Sequence, residues 1–137
     1  MTLALNYVSF TVSNMERALA FYRTLGLPLP EGAHLGTDGR LQDHTEVTVN
    51  GVRVAWLDES LARQLDEGWQ PPARAARIGV AFGALTPGEV DAAVQRLRAG
   101  GYTVAAEPFD AFWGQRYATV LDPDGTPVDI FAWLPQK

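Results

Sequence analysis

Two histidines, His34 and His44, and no cysteine set the reactive chemistry available to this chain. Without cysteine there is no thiolate catalysis, disulfide, iron–sulfur cluster or cysteine-type zinc site. Two histidines are also too few for a His-rich metal centre. His44 and Glu46 alternate within a β-type run, which sets both on one strand face. That pair could hold a cation, or could be solvated side chains at a loop edge. No GxSxG elbow accompanies the histidines, and Gly83–Gly88 matches neither GxGxxG nor a phosphate-binding loop. A nucleophilic triad and a nucleotide enzyme are therefore not expected. The densest functional stretch is Phe109 to Tyr117, where Phe109, Phe112, Trp113 and Tyr117 accompany Arg116. As a strand it would send Phe112 and Trp113 to opposite faces. As a loop it would form an aromatic lip able to stack on a planar ring with little loss of entropy. The other use of Trp113 is to fill a core or an interface.

The elements that must carry these residues follow from local pattern. Leu3 to Val12 reads as a strand. Ser13 or Asn14 can cap a helix that carries Met15, Ala18, Leu19, Tyr22 and Leu25 at helical spacing and stops at Gly26. Residues 27–32 are a short extended piece broken by proline, and 33–44 a polar, Gly-rich loop. Asn50-Gly51 between two β-type runs predicts a hairpin. Residues 59–67 read as a short helix, and 68–72 as a linker anchored by Trp69. A strand over 77–82, a helix over Pro87 to Ala99, and a strand over 102–106 follow. A second hairpin, 117–121 with 128–133, closes on Asp122-Pro123-Asp124-Gly125.

That order occurs twice. Tyr7 and Arg77 open equivalent strands, Gly26 and Gly101 end equivalent helices, and Gly51 and Gly125 sit in equivalent turns, at offsets of 70, 75 and 74 residues. The expected fold class is α+β: two tandem βαβββ modules, 1–72 and 73–137, forming an open curved mixed sheet of half-barrel type. Neither module is large enough to bury its sheet face alone, so both belong to a single domain. A chain of 137 residues suits that reading.

Hydrophobic residues at 47% and charged residues at 20% are ordinary globular usage. The net charge is −5, whereas phosphate binding rests on clustered Lys and Arg. No nucleic-acid partner is expected, and the acidic balance suits neutral or cationic ligands. No apolar run approaches the ~20 residues that span a bilayer. The N-terminus lacks the positive region and cleavage site of a leader. With cysteine absent, a cytoplasmic protein without a membrane partner is expected.

Two segments carry a family resemblance. YVSFTVSNMERALAFYRTLGLPL opens the chain and GQRYATVLDPDGTPVDIFAW closes it. With the duplicated elements between them, the sequence resembles the glyoxalase / bleomycin resistance / extradiol dioxygenase superfamily, also called vicinal oxygen chelate. The resemblance implies an open sheet whose inner face carries the site. In metal-dependent members the ligands come from the first and last strands of each module. Carried over, those positions fall at Tyr7, Ala55, Arg77 and Asp129. Arginine has no lone pair to donate, alanine donates nothing, and one carboxylate is insufficient. The expectation is therefore no cofactor, with a divalent metal and a lyase, isomerase or dioxygenase activity as the alternative.

With the metal ligands replaced, Arg77 and Asp129 would face one another, either as a structural salt bridge or as an anchor for a polar ligand. The resemblance to the metal-free, bleomycin-resistance branch implies binding of a small planar or aromatic molecule, with antibiotic sequestration as one form of it. The candidate ligand-binding residues are Tyr7, Trp56, Arg77, Phe112, Trp113, Arg116 and Asp129. The same resemblance implies a homodimer.

Overall fold

The computed structural model describes residues 3–73 and 78–136. The fold is α+β, with seven strands in two open sheets and three helices among the described residues. The chain divides into two compact units, Met1–Arg23 with Leu27–Pro71, and Thr24–Gly26 with Pro72–Lys137.

In the first unit β1 (Tyr7–Val12) leads into α1 (Met15–Leu25), and β2 (His44–Val49) and β3 (Val52–Asp58) form a hairpin. The sheet order is β1-β3-β2, with β1 parallel to β3 and β2 antiparallel to it. Asn14 caps α1 by accepting from the Arg17 amide at 3.0 Å. Gly26, at φ +127°, ends it in a conformation that side chains disfavour. The hairpin turns on Asn50 and Gly51, both at positive φ (49° and 80°), the geometry that matches strand twist in a two-residue loop. One face of this sheet holds Phe10, Val54 and Trp56 against Leu19 and Tyr22 of α1, all buried. Burying each such side chain contributes roughly 1.5–3 kcal/mol. Asp58 ends β3 and caps α2 (Glu59–Leu65), accepting from the Leu61 amide at 2.9 Å.

Two expectations need correction in this unit. Residues 3–6 lie outside β1, with Leu3 and Leu5 exposed. The first unit also has three strands rather than the four of a full βαβββ module. Residues 27–43, where the fourth would fall, form turns and one isolated bridge, Leu35 to Leu41. Pro28 and Pro30 have no N–H to give a ladder. The Arg23 guanidinium instead takes the carbonyls of Leu29 and Pro30 at 2.9 and 2.8 Å.

In the second unit β4 (Val80–Gly83) is followed by α3 (Pro87–Ala99), then β5 (Val104–Asp110), β6 (Gln115–Leu121) and β7 (Pro127–Trp133). The order β4-β7-β6-β5 is parallel at β4–β7 and antiparallel elsewhere. Thr86 caps α3, with Pro87 in its first turn where no amide is needed. Val128, Ile130 and Ala132 of β7 and Ala118 and Val120 of β6 share one buried face, and α3 buries Val90, Val94 and Leu97. Asp122, 4% exposed, holds the β6–β7 turn: its carboxylate accepts from the amides of Asp124 and Thr126, both at 2.9 Å.

Here too the strand limits differ. The strand expected over 102–106 begins at Val104 and runs on to Asp110, and β6 begins at Gln115. Phe109 and Tyr117 are therefore strand residues, and only 111–114 form the turn. The strand expected from Arg77 is seen from Val80, and Arg77 itself lies outside the described residues.

Candidate functional site

Strand parity decides which side chains meet. In the β6–β7 ladder Tyr117 pairs with Phe131, and Thr119 with Asp129. These odd-numbered residues occupy the sheet face opposite the buried one, all half-buried. Asp129 accepts from the Tyr117 hydroxyl at 2.6 Å through Oδ2 and from the Thr119 hydroxyl at 2.7 Å through Oδ1. Burial, then the hydrogen bond and the negative charge of Asp129, push the Tyr117 phenol up to about 12.

A row of rings runs from Tyr117, on one side of this carboxylate. Tyr117 and Phe131 stack at 6.4 Å and 24°, and Trp133 meets Phe131 edge-on at 6.3 Å. Trp113 meets Tyr117 at 5.5 Å and Phe109 at 6.1 Å, both edge-on. The Trp113 indole N–H donates to the Gln115 side chain at 2.7 Å, which fixes the ring. Phe131 lies over β4, where a Cβ on Gly83 would come within 3.2 Å of its ring. Glycine at 83 gives that ring its seat. Phe109, Trp113 and Trp133 are exposed, so the aromatic row is open to solvent.

Of the expected ligand-binding residues, Trp113 and Asp129 therefore lie on this face. Phe112 sits in the β5–β6 turn, 97% exposed, with its ring edge-on to Trp113 at 5.1 Å. Arg116 does not join them. It is even-numbered, pairs with Ala132, and points to the helix side. There it binds Asp91 of α3 and Asp110 of β5 at 3.0 and 2.9 Å. Those two carboxylates, Asp110 first, raise its pKa further.

Trp56 is likewise placed elsewhere. It is 0% exposed and packs against Phe10 and Tyr22 in the first unit's core. Its indole N–H has no hydrogen-bond partner. Trp69 takes the guanidinium of Arg63 over its ring at 5.4 Å, as a linker anchor would.

Tyr7 is exposed on the first unit's sheet, with Arg53 over its ring at 5.7 Å. Arg53 pairs with Tyr7 across β1–β3, hydrogen-bonds Asn6, and grips both oxygens of Glu46 at 2.6 Å. The Arg53 hydrogen bond holds the Glu46 carboxyl below its usual range. His44 stands 3.8 Å from Glu46, on a carboxylate already committed to Arg53.

The positions that the resemblance assigns to metal ligands do not fit a divalent ion. Ala55 is buried and donates nothing, and Tyr7 lies under a guanidinium, which leaves Asp129 as a lone carboxylate among the described positions.

Residues 4–130 match a family model described as the Glyoxalase/Bleomycin resistance protein/Dioxygenase superfamily. The chain belongs to this superfamily. Among its relatives is an uncharacterized protein of Mycobacterium bovis, 31% identical over 114 residues, 83% of this chain and 73% of that protein. A glyoxalase/bleomycin resistance protein/dioxygenase from Nocardioides is 26% identical, with all of this chain and 87% of that one covered and a TM-score of 0.69. A hypothetical protein from S. aureus shares the superfamily chain's fold at a TM-score of 0.78 and 18% identity, over 96% and 95% of the two chains.

Sequence reasoning named Asp129 and set Tyr117 in the aromatic stretch without joining the two, and it missed Thr119, Phe131 and Arg53. The Asn50-Gly51 turn pairs Val49 with Val52 and so sets Arg53 on Glu46's face, a signal present in the sequence. The second hairpin carries no such signal: a four-residue turn over 122–125 would set 119 opposite 128, whereas Leu121 pairs with Pro127 and 119 meets 129.

Proposed function

We propose that the chain captures a small planar or aromatic molecule, without a metal, on the β6–β7 face of the second unit. The observation that carries this reading is the row of exposed rings, Phe109, Trp113 and Trp133, continuous with Tyr117 and Phe131 beside a carboxylate. Rings held edge-on to one another offer flat contact area whose entropy is already spent on folding. The action proposed is stoichiometric binding rather than turnover. Sequestration of an antibiotic by a homodimer is the specific form proposed.

Tryptophan fluorescence tests it directly. Planar aromatic ligands should quench the emission of the full-length protein saturably, and Trp113→Phe should weaken binding roughly tenfold, within the range of a lost aromatic contact. Absence of quenching by a panel of aromatic antibiotics, with drug sensitivity unchanged on expression, would overturn the proposal.

A further inference from the structure

The charges of the second unit are sorted by face. Its described residues carry three basic side chains, Arg96, Arg98 and Arg116. Arg96 and Arg98 belong to α3, and Arg98 pairs with Glu107. Arg116 is held on the helix side between Asp91 and Asp110. Glu107 and Asp110 are thereby neutralised within the fold. Asp129 has no such cation among the described residues; its partners are the neutral hydroxyls of Tyr117 and Thr119. Each hydroxyl fills one acceptor site per oxygen, which leaves further lone pairs and the whole negative charge uncompensated. On one side of that charge runs the row of rings from Tyr117 and Phe131, whose quadrupoles also attract cations.

We infer that the molecule bound on this face is a planar aromatic cation, with Asp129 as its counter-ion and the Tyr117 and Phe131 rings beside it. The inference rests on the proposed binding reading and narrows its ligand class. Tyr117 and Thr119 act as positioning residues, since two hydroxyl donors from one strand fix the plane of the carboxylate. Arg116 belongs to the same arrangement by its absence from the face: held by two acids behind the sheet, it cannot neutralise Asp129. An anionic ring system would meet the carboxylate and be rejected.

Three fused-ring probes of one size test this by calorimetry on the full-length protein: acridine, uncharged at neutral pH; 9-aminoacridine, a cation; and acridine-9-carboxylate, an anion. The cation should bind about tenfold tighter than the neutral ring, in line with a desolvated cation–carboxylate and cation–π contact, and the anion weakest. Asp129→Asn keeps the shape and one hydroxyl donor on its carbonyl oxygen, the other hydroxyl turning to accept from the amide N–H, and should bring the cation to within about twofold of the neutral probe, the charge contribution being gone. Should that variant fold poorly, salt serves instead: raising NaCl should weaken the cation and leave acridine unchanged. Equal affinity for all three probes, the result a counter-ion supplied by Arg77 would give, overturns the inference while the binding reading stands. Failure of every probe to bind overturns both.

Discussion

Tyr117 and Asp129 are joined diagonally across the β6–β7 ladder. The tyrosine pairs with Phe131 in register, yet its hydroxyl reaches past that partner to Oδ2 of Asp129 at 2.6 Å. A phenol that donates to a carboxylate gives up its proton reluctantly, because the phenolate would face a like charge. The Tyr117 phenol is raised to about 12 from an ordinary 10.0. The folded protein therefore holds this proton more tightly than the unfolded chain. The stabilising contribution is complete below pH about 10 and is lost as the pH rises through about 12. Alkaline difference spectra of the native protein against Tyr117→Phe should show one phenol with a midpoint near 12. A midpoint near 10 would show that neither the burial of the phenol nor its hydrogen bond to Asp129 persists in solution.

Arg116 illustrates a residue whose type suggests binding and whose parity forbids it. Arg116→Met removes two ion pairs on a partly exposed surface and leaves Asp91 and Asp110 facing each other. Each exposed pair is worth about 0–1 kcal/mol. A loss of about 1–2 kcal/mol in urea unfolding is expected, reduced when Asp91→Asn is added. Affinity for 9-aminoacridine should stay within about twofold, since the guanidinium lies behind the sheet. A tenfold loss of affinity with stability intact would place Arg116 in the site after all.

The general arrangement was legible because it is written in local rules. The cap at Asn14, the stop at Gly26, the Asn50-Gly51 turn and the helix from Pro87 to Ala99 each depend on a few neighbouring residues. Side-chain facing across strands depends on register, and in the second hairpin register depends on whether the turn holds four residues or five. Arg116, next in sequence to Tyr117, reads as one of the aromatic cluster, yet a strand sends neighbours to opposite faces. Trp56 reads as a candidate ligand contact by its type, whereas its pairing with Phe10 turns it into the helix-packed core. The missing fourth strand of the first unit has a different cause: the proline-broken segment after α1 satisfies its carbonyls through Arg23, which no propensity rule anticipates.

Glu46 and Arg53 supply a second pH-dependent contact with the opposite sign. The Arg53 hydrogen bond lowers the Glu46 carboxyl below its ordinary 4.5. The folded state then binds this proton less readily than the unfolded chain. The contribution is present above pH about 4.5 and is lost as the pH falls through the depressed folded value. Carboxyl-resolved NMR titration should find Glu46 below the ordinary glutamate range, and Arg53→Met should return it upward. A titration of Glu46 unmoved by Arg53→Met would mean that the bidentate contact does not persist in solution. The same variant should give the His44–Glu46 edge any weak zinc affinity it can have, because only then is the carboxylate free of its guanidinium.

Trp56 offers the sharpest separation of core from site. Its ring is fully buried between Phe10 and Tyr22, while its indole N–H lacks a partner. An unsatisfied buried donor costs about 1–3 kcal/mol, and lost aromatic volume costs a comparable amount through the cavity left behind. In Trp56→Phe the two effects oppose, so unfolding should shift by less than about 1.5 kcal/mol. In Trp56→Ala the cavity dominates, and a loss of about 3–5 kcal/mol is expected. Ligand affinity should be unchanged in Trp56→Phe, with quenching still reported by Trp113 and Trp133. If Trp56→Phe instead abolished 9-aminoacridine binding while its unfolding curve matched the native one, the indole N–H would have to be counted among the ligand contacts.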